Sequence, residues 1–284
     1  MRRARLGAGL YTAMFPLPAV LAVVVFLVLP VGYLLSLSFV SKAGEFTGEA
    51  YRGIAADSFY LTVIVRTVAY SLATLLACAI AGFILALFIW RARAPLKNIL
   101  ILIALSPLLV SVVARTYGWV IVLGDRGVIN SVLGLFGAAE PVRIMYSHGA
   151  VIIGLVHILL PFMVVSILAA LDRVNPALVE AAQTLGADRW RVITLIILPL
   201  SLPGIAAGGT IVLGLAMSAY VTPALMGGSD AKMLANFVYQ QFVITHSWQR
   251  GSALAAILFA VSMALAFIFV FALSHKTKSW AHVG

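Results

Sequence analysis

Six apolar runs dominate the chain and leave it few ways to fold. They lie at about 11–39, 61–90, 99–123, 148–170, 202–225 and 252–273. Each exceeds the roughly 20 residues that a helix needs to cross a bilayer. In lipid every backbone N–H and C=O must be satisfied within the protein, so only helices and closed barrels span it. Barrel strands would alternate apolar and polar residues over segments of about 10; these runs are continuous instead. The expected fold class is all-α, a polytopic helical membrane protein with six transmembrane helices. Composition agrees, because only 10% of the residues are charged, against about 25% in a soluble domain.

Six spans put both chain ends on one side. Arg2, Arg3 and Arg5 followed by an apolar run look like a secretory signal. The run is too long for one and has no small-residue cleavage pattern, so an uncleaved first helix is expected, with Pro16, Pro18 and Pro30 allowing kinks. The ends, the turn at 91–97 and the segment 172–203 form one set of charges. It holds eleven basic and three acidic residues, a balance of +8. The opposite set holds eight basic and six acidic residues, a balance of +2. Basic residues gather on the cytoplasmic side, which places the ends and 172–203 there. The same rule explains the net charge of +10 without nucleic acid.

Segment 172–203 is polar between two membrane-length runs. Asn175 suits a helix N-cap and Pro176 a first helical position. Ala177, Leu178, Ala181, Ala182 and Leu185 share one stripe at helical spacing, opposite Glu180, Gln183 and Thr184. Gly186 can turn left-handed and end that helix. Asp188 can cap a second short helix through Trp190, Val192 and Ile193. Pro199 and Pro203 are expected to break or bend the return into the fifth span.

The order Glu180-Ala181-Ala182, three residues, Gly186, nine residues, Ile196, one residue, Leu198-Pro199 resembles the cytoplasmic signature loop of binding-protein-dependent ABC transporter permeases. Ala114 to Trp119, Tyr220 to Gly228 and Trp248 to Gly251 are similar to the first permease subunit of the spermidine/putrescine class of importers. This resemblance implies a type I ABC importer permease fold in the inner membrane of a bacterium. It implies one transmembrane permease domain over 1–284, with a core at 62–273 and a coupling loop at 172–203. The helix 175–186 would insert into a cytoplasmic ATPase, with Glu180, Ala181, Ala182, Leu185 and Gly186 mediating coupling. The implied partners are a second, homologous but different permease, two ATPase subunits and a periplasmic solute-binding protein. ATP and Mg would be held by the ATPase, with no cofactor on this chain. The outer loops 42–60, 124–147 and 227–250 would meet the binding protein. The implied solute is a polyamine; phosphonates, iron and other small polar solutes are rivals.

No GxxxxGK[ST] motif is present, so the chain is not expected to hydrolyse ATP alone. No metal-ligand spacing, nucleophile elbow or carboxylate pair points to enzyme chemistry. Ionisable residues inside membrane spans are functional candidates by default. Arg66 lies near the start of its run and can snorkel outward. Arg115 lies deeper and suits the solute path, a partner's carboxylate or Asp125. Arg115, Tyr117, Ser218, Tyr220 and Thr222 are the candidate path or gate residues, and Asp125 and Asp230 the candidate outer mouth. Glycines 204, 208 and 209 of the fifth run suit either gating or tight helix packing. An ion-coupled secondary transporter and a non-transporting membrane scaffold remain the alternatives in other classes.

Overall fold

The computed structural model describes residues 17–41, 44–137 and 140–280, with side chains from 18 to 273 within those stretches. Arg2, Arg3, Arg5, the expected start of the first run, Pro16 and Lys42 lie outside the described residues. Contacts divide the chain into two units, Met1–Asp57 with Val238–Ile257, and Ser58–Phe237 with Leu258–Gly284.

The described residues are helical almost throughout, with one isolated bridge between Val40 and Phe46. Six stretches are long and apolar enough to cross a membrane: Pro18–Leu37 (α1), Ser58–Arg91 (α3), Val112–Leu135, His148–Leu171 (α7), Arg189–Met217 (α9) and Trp248–Leu273. The last belongs to a helix that continues to Trp280 (α12, Trp248–Trp280). Short helices fill the connections: α2 (Glu49–Ala56), α8 (Pro176–Thr184), α10 (Val221–Met226) and α11 (Leu234–Tyr239).

In the larger unit α7 packs along both α3 and α9, and α9 also meets α3. Lipid tails are as apolar as leucine, so helices in a bilayer gain from close packing rather than from leaving water. The sequence supplies small residues where the axes approach. A Cβ on Gly204 of α9 would stand 2.5 Å from the Ser166 carbonyl oxygen and 2.8 Å from the Ala170 Cβ. Glycines 208 and 209 are closed off in the same way by Met163, Ser166 and Phe269. All three therefore serve packing. Met163, Ile167 and Leu171 of α7, Cys78 and Ile89 of α3, and Ile197 and Leu213 of α9 fill the interior.

The third crossing is not one helix. It divides into α4 (Leu96–Leu109) and α5 (Val112–Leu123), with α6 (Val128–Leu135) following. Val110 leaves the helix at φ −99°, ψ 137°, three residues beyond Pro107, which lies inside α4. Asp125 and Arg126 interrupt Val112–Leu135, and charges at mid-membrane are costly. The apolar pair α4–α5 is thus the physical third crossing, and α6 begins beyond the charges.

Two other prolines behave differently from the sequence expectation. Pro199 and Pro203 do not break the fifth span, which runs unbroken from Arg189 to Met217. A π-helical turn at Ile193–Ile197 precedes Pro199. The wider turn removes the clash and the missing hydrogen bond that a proline brings to an α-helix. Val24–Val28 does the same ahead of Pro30 in α1. The fifth span accordingly starts earlier than position 202. It also ends earlier than 225, because Ser218 to Tyr220 leave the helix before α10.

In the smaller unit, Phe39 stacks on Phe46 with ring centroids 5.5 Å apart. The Ser38 and Tyr51 hydroxyls share a hydrogen bond at 2.7 Å. These contacts set Ser38 and Phe39 against Tyr51 of α2 and Phe46.

Candidate functional site

The elbow between α7 and α9 forms as local chemistry dictates. The Asn175 side chain accepts from the Ala177 N–H at 3.0 Å, satisfying one orphan donor at the start of α8. Gly186 sits at φ 84°, a left-handed conformation that costs any residue with a Cβ. The Asp188 carboxylate accepts from the Arg191 N–H at 2.7 Å and caps α9. A helix, a sharp corner and a second capped helix thereby follow from local contacts.

The faces of α8 differ from the single-stripe expectation. Val179 and Ala182 are the positions that pack on the core, with Ala187 beyond the corner. Leu178, Ala181 and Leu185 face away; Leu185 is 88% exposed, and Trp190 just past the corner is 73% exposed. Glu180 and Gly186 are exposed too. Of the expected stripe only Ala182 packs on the core, beside Val179 from outside it, while Ala177, Leu178, Ala181 and Leu185 form an exposed apolar edge.

A second arrangement lies in the membrane-spanning part. A cavity of about 350 Å³ is lined by Arg115, Leu155, Phe162, Tyr220 and Thr222, among others. It brings together three of the five residues expected on the solute path. Tyr117 is exposed and does not line it; Ser218 is exposed and its hydroxyl donates to the Gly214 carbonyl at 3.0 Å. Arg115 is the only charged side chain in the lining.

Arg115 is held by the break in the third crossing. The last carbonyls of a helix have no intrahelical partner, and the Arg115 guanidinium donates to one of them, that of Pro107. Its Nε is buried without a hydrogen-bond partner. It is not paired with Asp125, which is exposed. Asp230 is also exposed and accepts from the Ser229 hydroxyl at 2.9 Å. Thr222 is buried against α7: a Cβ on Gly154 would come within 2.6 Å of its methyl.

Tyr220 is positioned by contacts that sequence reasoning missed. Its carbonyl accepts from the Asn236 side chain at 2.9 Å, and the same side chain accepts from the Met233 N–H at 2.9 Å. Thr67 of α3 accepts from the Leu234 N–H at 2.8 Å, and Arg66 donates to the Lys232 carbonyl at 3.3 Å. Arg66 is thus half-buried and tied to backbone rather than simply snorkelling. Trp119 donates to His157 Nδ1 at 2.9 Å, so that nitrogen carries no proton. Tyr70 and His148 are also hydrogen-bonded. These pairings lie far apart in sequence; the only signal for them was a polar side chain within an apolar run.

In the smaller unit, residues of two expected outer loops share a polar basin of about 930 Å³. Glu45, Glu49, Thr47, Gln241, Thr245 and Arg250 are among its walls. No group of three or more His, Cys, Asp or Glu with metal-ligand geometry occurs among the described residues.

Comparisons with known proteins show a family and a fold. The spermidine/putrescine transport system permease protein PotB of Escherichia coli strain K12 is 32% identical over 237 residues, covering 81% of this chain and 86% of that one. PotB of Haemophilus influenzae is 31% identical over 251 residues, covering 86% and 87%. The crystal structure of a bacterial alginate ABC transporter, in complex with its alginate pentasaccharide-bound periplasmic protein, contains a chain of the same fold. Its TM-score is 0.82 over 98% of both chains, at 22% identity. Residues 78–279 match the model of the family described as binding-protein-dependent transport system inner membrane component. The chain belongs to that family: it is a multi-pass permease subunit of an ABC importer, with the type I importer fold.

Proposed function

We propose that this chain, as one permease domain over 1–284, forms part of the membrane path for a small polar solute and is driven by a separate ATPase docked on α8. The observation that carries this reading is the outward edge of α8. Leu178, Ala181 and Leu185, with Trp190 beyond the corner, are apolar and exposed on two helices that each begin at a side-chain cap, Asn175 and Asp188. Such a surface fits a cleft in a partner rather than lipid, because Glu180 stands beside it and no basic residue lies in α8. Glu180, Ala181, Ala182, Leu185 and Gly186 are the coupling residues. ATP-driven closure of the ATPase pair pushes the elbow, and the unbroken α9 carries the displacement to the cavity around Arg115.

The solute on this reading is a polyamine, supported by the PotB relatives. A partner permease, two ATPases and a periplasmic binding protein complete the machine. The exposed Asp125 and Asp230 serve the outer mouth. With 172–203 and both ends in the cytoplasm, those carboxylates face the periplasm. One observation favours a second solute class: the only charge in the inner cavity is a guanidinium. A polyammonium is repelled there, whereas an anionic or zwitterionic solute is attracted.

Uptake by the assembled transporter in proteoliposomes separates the two. Labelled spermidine imported in an ATP-dependent manner supports the polyamine reading. Import of an aminophosphonate, abolished by Arg115→Gln, supports the second. If neither the presence of the ATPase nor the disruption of Leu185 and Gly186 alters uptake, the coupling reading fails.

A further inference from the structure

Where α3 ends, its last turn and the elbow line another cavity, separate from the one around Arg115 and open to the surface, with Arg91, Gln183 and Arg189 exposed. It measures about 350 Å³ and is lined by Trp90, Arg91, Val179, Gln183 and Arg189. The lining holds two guanidinium groups, an amide and an indole, with no carboxylate. Among the described residues neither arginine is ion-paired. Of the acidic residues on the elbow, Asp172 binds Lys97 at 2.9 Å, Asp188 caps α9, and Glu180 is exposed on α8 outside the lining. Two cations facing one cavity repel each other unless an anion sits between them.

The lining also says what kind of anion. Guanidinium forks match phosphate oxygens in bidentate geometry. Trp90 and Arg91 end an apolar helix, the level at which tryptophans and arginines meet lipid headgroups. Val179 and the Trp90 ring give one apolar wall beside the charges. A site that is part cationic and part apolar, at the basic end of a membrane helix, suits a phosphate on an amphipathic carrier. An acidic side chain from a docked ATPase would meet the same charges but leave the apolar wall idle.

We propose that this cavity binds a phosphate-bearing anion, gripped by Arg91 of α3 and Arg189 of α9, with the Gln183 amide donating from α8. The three groups come from three elements, so the occupant pins the elbow to the end of α3. It thereby stiffens the joint through which the ATPase stroke must pass. The phosphate comes from an anionic phospholipid headgroup or from a soluble phosphate compound, and the two sources separate experimentally.

The assembled transporter is reconstituted into nanodiscs of phosphatidylcholine with phosphatidylglycerol, then released into mild detergent. Native mass spectrometry counts phosphatidylglycerol retained per complex, with and without inorganic phosphate. Retention is expected in the wild type and should fall at least twentyfold in R91Q/R189Q, at about fivefold per arginine. R93Q removes a neighbouring exposed charge outside the cavity and should retain the lipid. R189K keeps the charge without the fork and should fall between; as a mild change it also answers the case in which the double variant fails to assemble. Displacement of the lipid by inorganic phosphate, or phosphate retention in pure phosphatidylcholine, identifies a soluble source. Equal retention of both probes in wild type and variants overturns the proposal, as does an ATPase carboxylate found seated in the cavity. Retention is read without transport, so failure of the import reading leaves this result interpretable.

Discussion

Gly204 and Gly214 lie on the same helix, yet they make opposite demands. A Cβ at 204 meets backbone on α7 at 2.5 Å, whereas nothing lies within 4 Å of one at 214. Gly204→Leu should therefore destabilise the purified complex by about 1–3 kcal/mol through overpacking. Gly214→Ala should be neutral or stabilise by up to about 1 kcal/mol, because alanine is the better helix former. Thermal unfolding in detergent measures both, and equal shifts would contradict the packing described here. Arg115 makes a third demand. Arg115→Ala leaves the Pro107 carbonyl unpaired, costing about 1–3 kcal/mol, in addition to any effect on uptake. These residue-scale features divide cleanly by legibility. The Asn175 cap, the Gly186 corner and the Asp188 cap follow from neighbours in sequence and were readable there. The partners of Arg66, Trp119 and Tyr70 lie 166, 38 and 78 positions away, a distance that side-chain chemistry alone does not bridge.

At the scale of elements, periodicity identified apolar faces but not what they face. The stripe on α8 reads as one surface in the sequence. In the fold Ala182 alone of that stripe packs on the core, with Val179 from outside it, while Leu178 and Leu185 are exposed. Proline was ambiguous for a similar reason. A break follows Pro107, whereas Pro199 and Pro30 are each preceded by a π-turn. The elbow's rigidity gives a sharper test. Gly186→Val forces a β-branched residue to φ 84°, at a cost of about 1–2 kcal/mol. Solute-stimulated ATPase activity of the assembled transporter should fall roughly tenfold, while complex assembly on size exclusion persists. Asn175→Ala, which removes about 1 kcal/mol of capping, should give a milder loss in the same assay.

For the whole molecule, the number of crossings and their approximate places were legible because lipid imposes a length on each helix. The division of the third crossing was not, since 99–123 is continuous in hydropathy and only the packed chain reveals the break at Val110. Topology is open to direct measurement. Cys78 is the chain's single cysteine and is buried, so its replacement gives a clean background for labelling. Gln183 and Asp230 are both exposed. A membrane-impermeant maleimide should label D230C in intact spheroplasts and Q183C only in inverted vesicles. The reverse pattern would invert the orientation drawn from the basic residues.

The bonds that run from Arg66 and Thr67 to Lys232 and Leu234, and onward through Asn236 to the Tyr220 carbonyl, make a taut guy-line. One end is anchored high on α3 and the other on the wall of the inner chamber. α3 therefore cannot shift against that wall without stretching or breaking one of these ropes.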